Sequence, residues 1–327
     1  MYTNRLSLYR KLEEQFNSKL LVYVTSDRRG LETQIAQDVI DLFVRHLDTI
    51  GPVPKISLYL YTNGGDAAAA WNIVNLIKMY CDELEVIIPH KAHSAGTLIS
   101  IGANRIIMTK QATLSPIDPS VNTPLNPVVN NGPNYPVSVE SLKEYISLAK
   151  SELNINDDKA IADVLIKLSE NIHPLVLGQA FRARAQIQML AKKLLPAQVS
   201  EPEKVNKIIS FLCSDSGSHD YTINRREAHD TLGLNVKKPT DEQYHTIKAI
   251  YDDINLELEF QKAYNLKTLS GPYVFKRGIL ESVEGGSDIF ISEGVIQTIP
   301  MPNGQAQIID DRKVDEWRRE ETINKKH

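Results

Sequence analysis

Short apolar runs alternate with segments of helical periodicity through the first 110 residues, and this alternation constrains the fold more than any other feature. The apolar runs include KLLVYV at 19–24, KISLYLYT at 55–62 and ELEVIIP at 83–89, each of strand length. Between them, the spacing of apolar residues predicts helices over 32–47 and 66–80. Strands that alternate with helices form parallel sheets covered by helices on both faces. We therefore predict an α/β fold built on a parallel sheet.

The second half of the sequence predicts a different organisation. Residues 119–136 contain five prolines and five asparagines, which is typical of a long surface loop. Residues 137–213 have the spacing of several helices. A charged helix follows at 240–264, and the tail from residue 270 alternates and contains the Gly-Gly and Asn-Gly pairs of β-hairpin turns.

We predict two parts of the chain from this organisation. Residues 1–236, with the helical region included, form the main domain, and residues 237–327 form a C-terminal extension of a helix and β-hairpins.

Composition excludes several functional classes. The net charge of −4 and the pI near 6.1 favour neither nucleic acid nor an anionic membrane as a partner. The two cysteines, Cys81 and Cys213, lack the spacing of a metal site, so we expect no metal, no disulfide and a reducing compartment. No apolar run reaches membrane-spanning length and the charged N-terminus lacks a secretory apolar region. These features predict a cytoplasmic protein.

The first candidate site is the glycine pair Gly64-Gly65, which follows the predicted strand at 55–62 and precedes a predicted helix. Such a turn exposes backbone N–H groups where no side chain blocks a ligand, which suits an oxyanion or a phosphate. A tight turn that needs the conformational freedom of glycine is the alternative explanation.

The second and third candidates are Ser94 and the pair His219-Asp220. Ser94 also lies between a strand and a helix, at the edge of a parallel sheet where ligand sites gather. A serine there is equally a common helix N-cap. His219 and Asp220 suggest a base and the group that orients it, or else a solvated turn.

Taken together, these segments resemble the Clp-protease-like superfamily, which includes signal peptide peptidase A, and within it the serine dehydrogenase proteinase family. The resemblance covers about residues 1–236. It is carried by TNGGDAAAA at 62–70, PHKAHSAGTLISIGANRIIM at 89–108, LSPIDP at 114–119 and SHDYTINRREAHDTLGL at 218–234.

The resemblance implies a serine peptidase with a Clp-like or crotonase-like fold. By position, Ser94 corresponds to the nucleophile, and the glycine turn of Gly64 and Gly65 together with Ala95 corresponds to the oxyanion hole. Asp220 corresponds to the aspartate of the catalytic triad. A peptide or protein substrate, a homo-oligomer and no cofactor also follow from the resemblance.

The sequence departs from the Clp pattern at the general base, because no histidine lies about 25 residues after the serine. Three alternatives remain open. His219 could supply the imidazole with Asp118 to orient it, which we favour because both residues lie in matching segments. Lys91 or Lys110 could act as base, as in relatives of signal peptide peptidase, or His93 could serve beside the serine.

Two rival functions also remain. A crotonase-type enzyme would use paired backbone amides to hold the enolate of an acyl-CoA thioester, but no glutamate pair lies near the glycine turn. A non-catalytic scaffold would keep the fold and act through its C-terminal extension.

Overall fold

The computed structural model describes residues 1–117, 120–128, 134–215, 221–300 and 306–320. The chain divides into two compact units. The first unit consists of Met1–Leu114, Ala197–Val199 and Thr222–His327, and the second unit consists of Ser115–Pro196 and Ser200–Tyr221.

Thirteen strands and nine α-helices make up the regular structure of the described residues. The strands are β1 (Lys19–Thr25), β2 (Val53–Tyr61), β3 (Cys81–Ile88), β4 (Lys91–Ala92), β5 (Arg105–Met108), β6 (Thr113–Leu114), β7 (Ser120–Val121), β8 (Val137–Ser138), β9 (Ile223–Asn224), β10 (Val236–Lys237), β11 (Gly271–Ser282), β12 (Gly286–Pro300) and β13 (Ala306–Arg319). The helices are α1 (Tyr2–Phe16), α2 (Ile40–Ile50), α3 (Ala67–Lys78), α4 (Ala95–Gly102), α5 (Val139–Ser147), α6 (Asp158–Asn171), α7 (Pro174–Leu194), α8 (Pro202–Ser210) and α9 (Asp241–Glu257). Short helical turns lie at Gln37–Val39, Leu148–Glu152, Leu195–Ala197, Phe211–Asp215, Glu227–Thr231 and Leu266–Thr268.

An eight-stranded sheet forms the centre of the first unit, in the order β10-β5-β3-β2-β1-β11-β12-β13. The five strands from β10 to β1 run parallel, with Val22 of β1 opposite Tyr59 of β2 and Tyr59 opposite Ile87 of β3. The predicted parallel sheet and the predicted alternation of strands and helices are therefore confirmed.

Helices cover both faces of this sheet, which explains why β1 is apolar along nearly its whole length. On one face, Leu20 and Val22 pack in a buried cluster with residues of α1 and α9. On the other face, the ring of Tyr23 contacts Phe43 of α2 edge-on, with ring centroids 5.3 Å apart. Alternate side chains of one strand thus enter two different cores.

The C-terminal strands extend the parallel sheet in the antiparallel direction. β11 pairs with β1, so that Val22 lies opposite Glu281, and β12 and β13 continue the sheet outward. The predicted hairpins are longer than expected and join the central sheet instead of forming a separate extension. The compact units follow a different division from the predicted one. The domain boundary predicted between residues 236 and 237 stays a prediction.

A buried ionic network holds this C-terminal addition against the N-terminal helix. The fully buried guanidinium of Arg5 in α1 donates to both carboxylate oxygens of Glu281 in β11, at 2.7 and 3.2 Å. It also donates to Glu257 of α9 at 2.5 Å, and Glu257 accepts a further hydrogen bond from Lys276. Removing one member of such a network leaves an uncompensated charge in the interior, which is strongly destabilising.

The second unit has a core of its own. A β-hairpin of β7 and β8 packs with α5 and α7, and the first turn of α5 is capped by Ser138, whose hydroxyl accepts from the N–H of Ser141. Its buried residues are Val121, Val137, Val139, Leu142, Val176 and Ala180.

We expect Glu257→Gln to lower the free energy of unfolding in a pH-dependent way. Burial alone raises the pKa of Glu257, but the charge of Arg5 and the hydrogen bonds from Lys276 and Arg5 outweigh it and lower the pKa from 4.5 to about 2. A lowered pKa stabilises the fold above pH 4.5, and this contribution is lost as the pH falls towards 2. The free energy of unfolding of the variant should be about 2 kcal/mol lower than that of the native protein at pH 7. The difference should be smaller at pH 3.

Chemical denaturation of both proteins between pH 7 and pH 3 measures this difference. Asp252→Asn is the matched control, because Asp252 lies in the same helix and is exposed in its ion pair with Lys248. The control should change stability by less than about 0.5 kcal/mol. A pH-independent difference for Glu257→Gln would contradict the lowered pKa.

Candidate active site

The glycine pair forms a sharp turn between β2 and α3. Gly64 and Gly65 have φ values of 113° and 144°, which side chains strongly disfavour. Asp66 follows them and caps α3, since its carboxylate accepts from the N–H of Ala69 at 2.8 Å. The structure thus explains the glycines by their backbone conformation, and it also fixes the direction of their N–H groups.

Ile35 orients the turn through a parallel β-bridge with Gly65. The Ile35 N–H donates to the Gly64 carbonyl at 2.8 Å, and the Asp66 N–H donates to the Ile35 carbonyl at 2.8 Å. Gly65 lies between these two bonds, and in a parallel bridge the N–H of such a residue points to the side of its own strand that does not face the partner. The Gly65 N–H therefore points away from Ile35. A Cβ at Gly65 would lie 2.3 Å from the Ile35 carbonyl oxygen, so that a side chain is excluded.

Ser94 lies immediately before α4 in a strained conformation, with φ 51° and ψ −111°. Such a conformation costs a non-glycine residue about 1–3 kcal/mol and is concentrated at functional sites. The Ser94 side chain makes no capping hydrogen bond to the described residues of α4. Ser94 thus occupies the N-cap position without acting as a cap, which removes the ordinary structural reason for a serine there.

The glycine turn and the start of α4 are in direct contact. A Cβ built on Gly64 would lie 2.8 Å from the Cβ of Ser94 and 3.3 Å from the backbone nitrogen of Ala95. The His93 N–H donates to the Thr62 carbonyl at 3.1 Å, which fixes the approach. Two sites that are 30 residues apart in the sequence therefore meet at one point of the sheet edge.

Thr62 ties the two segments together. Its hydroxyl accepts from the N–H of Gly64 at 3.0 Å and from the hydroxyl of Thr25 at 2.8 Å. Its methyl group packs against Gly96 of α4, where a Cβ would come within 2.5 Å. We did not identify Thr25 or Thr62 from the sequence, although each is a threonine at the end of an apolar strand run.

The backbone N–H groups at this point differ in their partners. The N–H of Gly64 donates to the hydroxyl of Thr62, whereas no described residue accepts a hydrogen bond from the N–H of Gly65 or of Ala95. Ala95 is the first residue of α4, where the helix leaves its N–H groups unpaired and carries partial positive charge. Two unpaired N–H groups beside a serine hydroxyl can stabilise a negative oxygen that forms next to that serine.

The candidate bases that the structure describes have other partners. The Nε2 atom of His93 lies 2.9 Å from the hydroxyl of Thr113 in β6.

The two candidate lysines also have partners. The ammonium of Lys91 lies 2.5 Å from a carboxylate oxygen of Asp27 and packs over the ring of Tyr61. The ammonium of Lys110 lies over the ring of Tyr244, 4.8 Å from its centroid.

The remaining predicted residues, Asp118, His219 and Asp220, lie outside the described residues. The structure therefore brings together Ser94, Ala95, Gly64 and Gly65, and the identity of the base stays a prediction.

A buried Ser–His–Asp arrangement lies elsewhere in the first unit, and sequence analysis did not find it. The hydroxyl of Ser282 lies 2.8 Å from Nδ1 of His46, whose Nε2 lies 2.9 Å from Asp288. All three residues are buried, and the Ser282 hydroxyl also accepts from the N–H of Gly285. With no access to substrate, this cluster fastens the β11–β12 turn to α2.

Within the ranges given above, no group of three or more His, Cys, Asp or Glu side chains is arranged to hold a metal ion. None of the helices in those ranges is both long enough and apolar enough to cross a bilayer.

The sequence profile of the ClpP-like SDH-type serine proteinases matches residues 3–259. Two uncharacterised proteins of Methanocaldococcus jannaschii are also similar. One is 31% identical over 208 residues, which are 63% of this chain and 62% of the relative, and the other is 26% identical over 196 residues, which are 60% and 56%. The match thus spans about three-fifths of each relative.

Two solved structures also match, at lower identity. A mutant of the 1510-N membrane-bound stomatin-specific protease shares 18% identity, with a TM-score of 0.39, over 68% of this chain and 82% of that one. ClpP1 from Listeria monocytogenes shares 16% identity, with a TM-score of 0.36, over 72% of this chain and 99% of that one.

We expect Thr62→Val to destabilise the turn although valine has nearly the same shape. The substitution leaves the buried N–H of Gly64 without its acceptor, which costs about 1–3 kcal/mol. Thr25→Val is the matched control, because it removes only a donor to Thr62 and should cost less. Denaturant unfolding of both variants measures the difference, and equal losses would show that Thr62 does not support Gly64.

Proposed function

Because the chain belongs to the ClpP-like SDH-type serine proteinase family, we propose that it hydrolyses peptide bonds through an acyl-enzyme formed on Ser94. One observation carries this proposal more than any other. Ser94 is held in a strained backbone conformation against a glycine turn, at a helix start that it does not cap. This geometry has a cost in stability, and its functional explanation is a nucleophile presented beside two N–H groups that donate to no described residue.

The oxyanion hole in this proposal consists of the N–H groups of Gly65 and Ala95. When the Ser94 hydroxyl attacks a peptide carbonyl, the carbonyl oxygen becomes negative and accepts hydrogen bonds from both N–H groups. The partial positive charge of the α4 N-terminus adds to this stabilisation. Gly64, the third residue predicted for the hole, contributes by its lack of a side chain, since its own N–H donates to Thr62. Water then hydrolyses the acyl-enzyme.

The general base in the proposal is His219, which takes the proton of Ser94 and returns it to the leaving amine. Asp118 orients the imidazole, and Asp220 is the alternative orienting group. The contacts of the other candidates favour this assignment, because His93 is directed to Thr113 and Lys91 is engaged by Asp27.

The rival functions are less consistent with Ser94. An acyl-CoA enzyme of the crotonase type needs paired N–H groups but no strained serine beside them. A scaffold needs neither of these features. We further propose a peptide or protein substrate and a homo-oligomer, as the family resemblance implies, and a cytoplasmic location, as the composition predicts.

We expect Ser94→Ala to abolish both peptide hydrolysis and covalent labelling by a fluorophosphonate probe. The probe phosphonylates the serine oxygen and releases fluoride, so it reports the nucleophile without knowledge of the substrate. Mass spectrometry should locate the label at Ser94 in the full chain. Ser100→Ala is the matched control, because Ser100 lies in the same helix and its buried hydroxyl is bonded to the Gly96 carbonyl. Absence of labelling in the native protein would favour the scaffold or the acyl-CoA enzyme.

The strain at Ser94 predicts a second effect on the same residue. Ser94→Gly should be inactive but more stable than the native protein by about 1 kcal/mol, because glycine adopts φ 51° without strain. Thermal or denaturant unfolding of the serine, alanine and glycine forms measures it. A glycine variant less stable than the alanine variant would contradict the strain.

For the base, we expect His219→Ala to reduce kcat by orders of magnitude and Asp118→Asn to reduce it nearly as far. Activity should fall as the pH is lowered and the imidazole becomes protonated, because a protonated base cannot accept the proton of Ser94. Lys91→Met and Lys110→Met serve as comparisons. Loss of activity in either lysine variant, with activity retained in His219→Ala, would replace the histidine by a lysine base.

A further inference from the structure

A cavity of about 320 Å³ opens in the first unit beside the C-terminal strands. Its floor follows one row of register partners across four strands. Thr25 of β1 lies opposite Gly278 of β11, Gly278 lies opposite Phe290 of β12, and Phe290 lies opposite Trp317 of β13. All four residues line the cavity. Its volume lies at the lower end of the range for small-ligand sites.

Gly278 creates the space in this row. A Cβ there would lie 3.2 Å from the Cβ of Phe290 and 3.2 Å from the edge of the Trp317 ring. The backbone of Gly278 does not have a positive φ, so its conformation does not require glycine. The missing side chain therefore matters for the room that it leaves between Thr25 and the two aromatic rings.

The walls of the cavity are held in place by specific contacts. The indole N–H of Trp317 donates to the carboxylate of Asp38 at 3.1 Å. The indole also contacts the ring of Phe290 edge-on, with ring centroids 5.5 Å apart. The buried guanidinium of Arg277 donates to the Glu32 carbonyl at 2.6 Å and to Ser292 at 2.8 Å. A wall fixed in this way binds a ligand with little loss of side-chain entropy.

The charges around the cavity favour a cation. Three carboxylates, those of Glu32, Asp38 and Asp315, face one guanidinium, that of Arg277, which is already paired with Asp315 at 3.2 Å. Among the described residues, no cationic group lies within 4.0 Å of the carboxylate of Glu32 or of Asp38. Two carboxylates that form no ion pair with a described residue, one of which accepts from the indole N–H, suit an ammonium or guanidinium on an apolar stem.

The cavity lies along the same edge of the sheet as Ser94. Gln34 lines it, and a Cβ on Gly65 would be 3.0 Å from the Cβ of Gln34, so Gln34 borders the cavity and also adjoins the glycine turn. β11 is two strands away from β2, which corresponds to about 10 Å. An extended peptide covers that distance with about three residues.

We propose that this cavity binds a lysine or arginine side chain of the peptide substrate, about three residues from the bond that is cleaved. The proposal rests on the proposed peptidase function and adds a preference for basic residues to it. Asp38 and Glu32 recognise the charge, Trp317 packs on the aliphatic stem, and Gly278 provides the space. None of these residues touches the reacting atoms, so they determine specificity only.

A binding experiment on inactive protein tests the proposal without any turnover. The chain has two tryptophans, so Trp71→Phe in a Ser94→Ala background leaves Trp317 as the only one. Peptides of eight residues that contain one lysine, one arginine or one norleucine at the same position are titrated against its fluorescence. We expect a saturable change with lysine and arginine peptides and affinity at least about tenfold weaker with norleucine.

Three variants identify the groups responsible. Asp38→Asn should weaken binding of the lysine peptide about tenfold, with a smaller effect on norleucine, and Gly278→Ala should weaken all peptides by filling the floor. Asp311→Asn is the matched control, because Asp311 is an exposed carboxylate of β13 that does not line the cavity. Equal affinity for lysine and norleucine, or no response of Trp317 to any peptide at millimolar concentration, would overturn the proposal.

Peptide binding in the cavity and the nucleophile at Ser94 are measured by two independent signals. Labelling of Ser94 by fluorophosphonate reports the nucleophile, whereas Trp317 fluorescence reports the cavity. In active protein, Asp38→Asn should raise KM for lysine peptides and leave kcat within about twofold, as expected for uniform binding. A loss confined to kcat would assign Asp38 to another role.

Discussion

The geometry of the candidate active site depends on the close approach of two backbone segments, the turn at Gly64 and the start of α4 at Ser94. A single methyl group on Gly64 would overlap the Cβ of Ser94 at 2.8 Å, so the contact exists only because the turn is bare. Thr62 maintains it from both sides, with its hydroxyl on the Gly64 N–H and its methyl group against Gly96. The rigid parallel strands below supply the stability that balances the strain at Ser94.

Local sequence patterns predicted the parts of the fold that depend on local physics. The strands β1, β2 and β3 are buried on both faces, and their apolar runs reflect this directly. Gly64, Gly65 and Ser94 were recognisable because a strand, a turn and a helix follow one another within a few residues. Their contact with each other followed from parallel topology, which places successive strand ends along one edge of the sheet.

Local sequence patterns could not predict the interactions between residues that lie far apart in the sequence. Arg5 pairs with Glu281 across 276 residues, and neither residue has a pattern that indicates a buried ion pair. The same limit applies to β11, whose alternation predicted a strand but not its partner β1. Thr62 illustrates the intermediate case, since a threonine at a strand end is common and only its position between Thr25 and Gly64 gives it a role.

The antiparallel direction of the C-terminal strands explains how they bring side chains to the sheet edge that carries the candidate active site. In a purely parallel sheet, only the loops after the strands reach that edge, which limits the side chains available to a ligand. β11 runs opposite to β1, so its Arg277 and Gly278 lie level with the end of β1, and the register continues through Phe290 to Trp317. Side chains within strands are more precisely held than those on loops. The addition that is fixed by the Arg5–Glu281 ion pair thus also extends the sheet edge from the glycine turn to the proposed peptide-binding cavity.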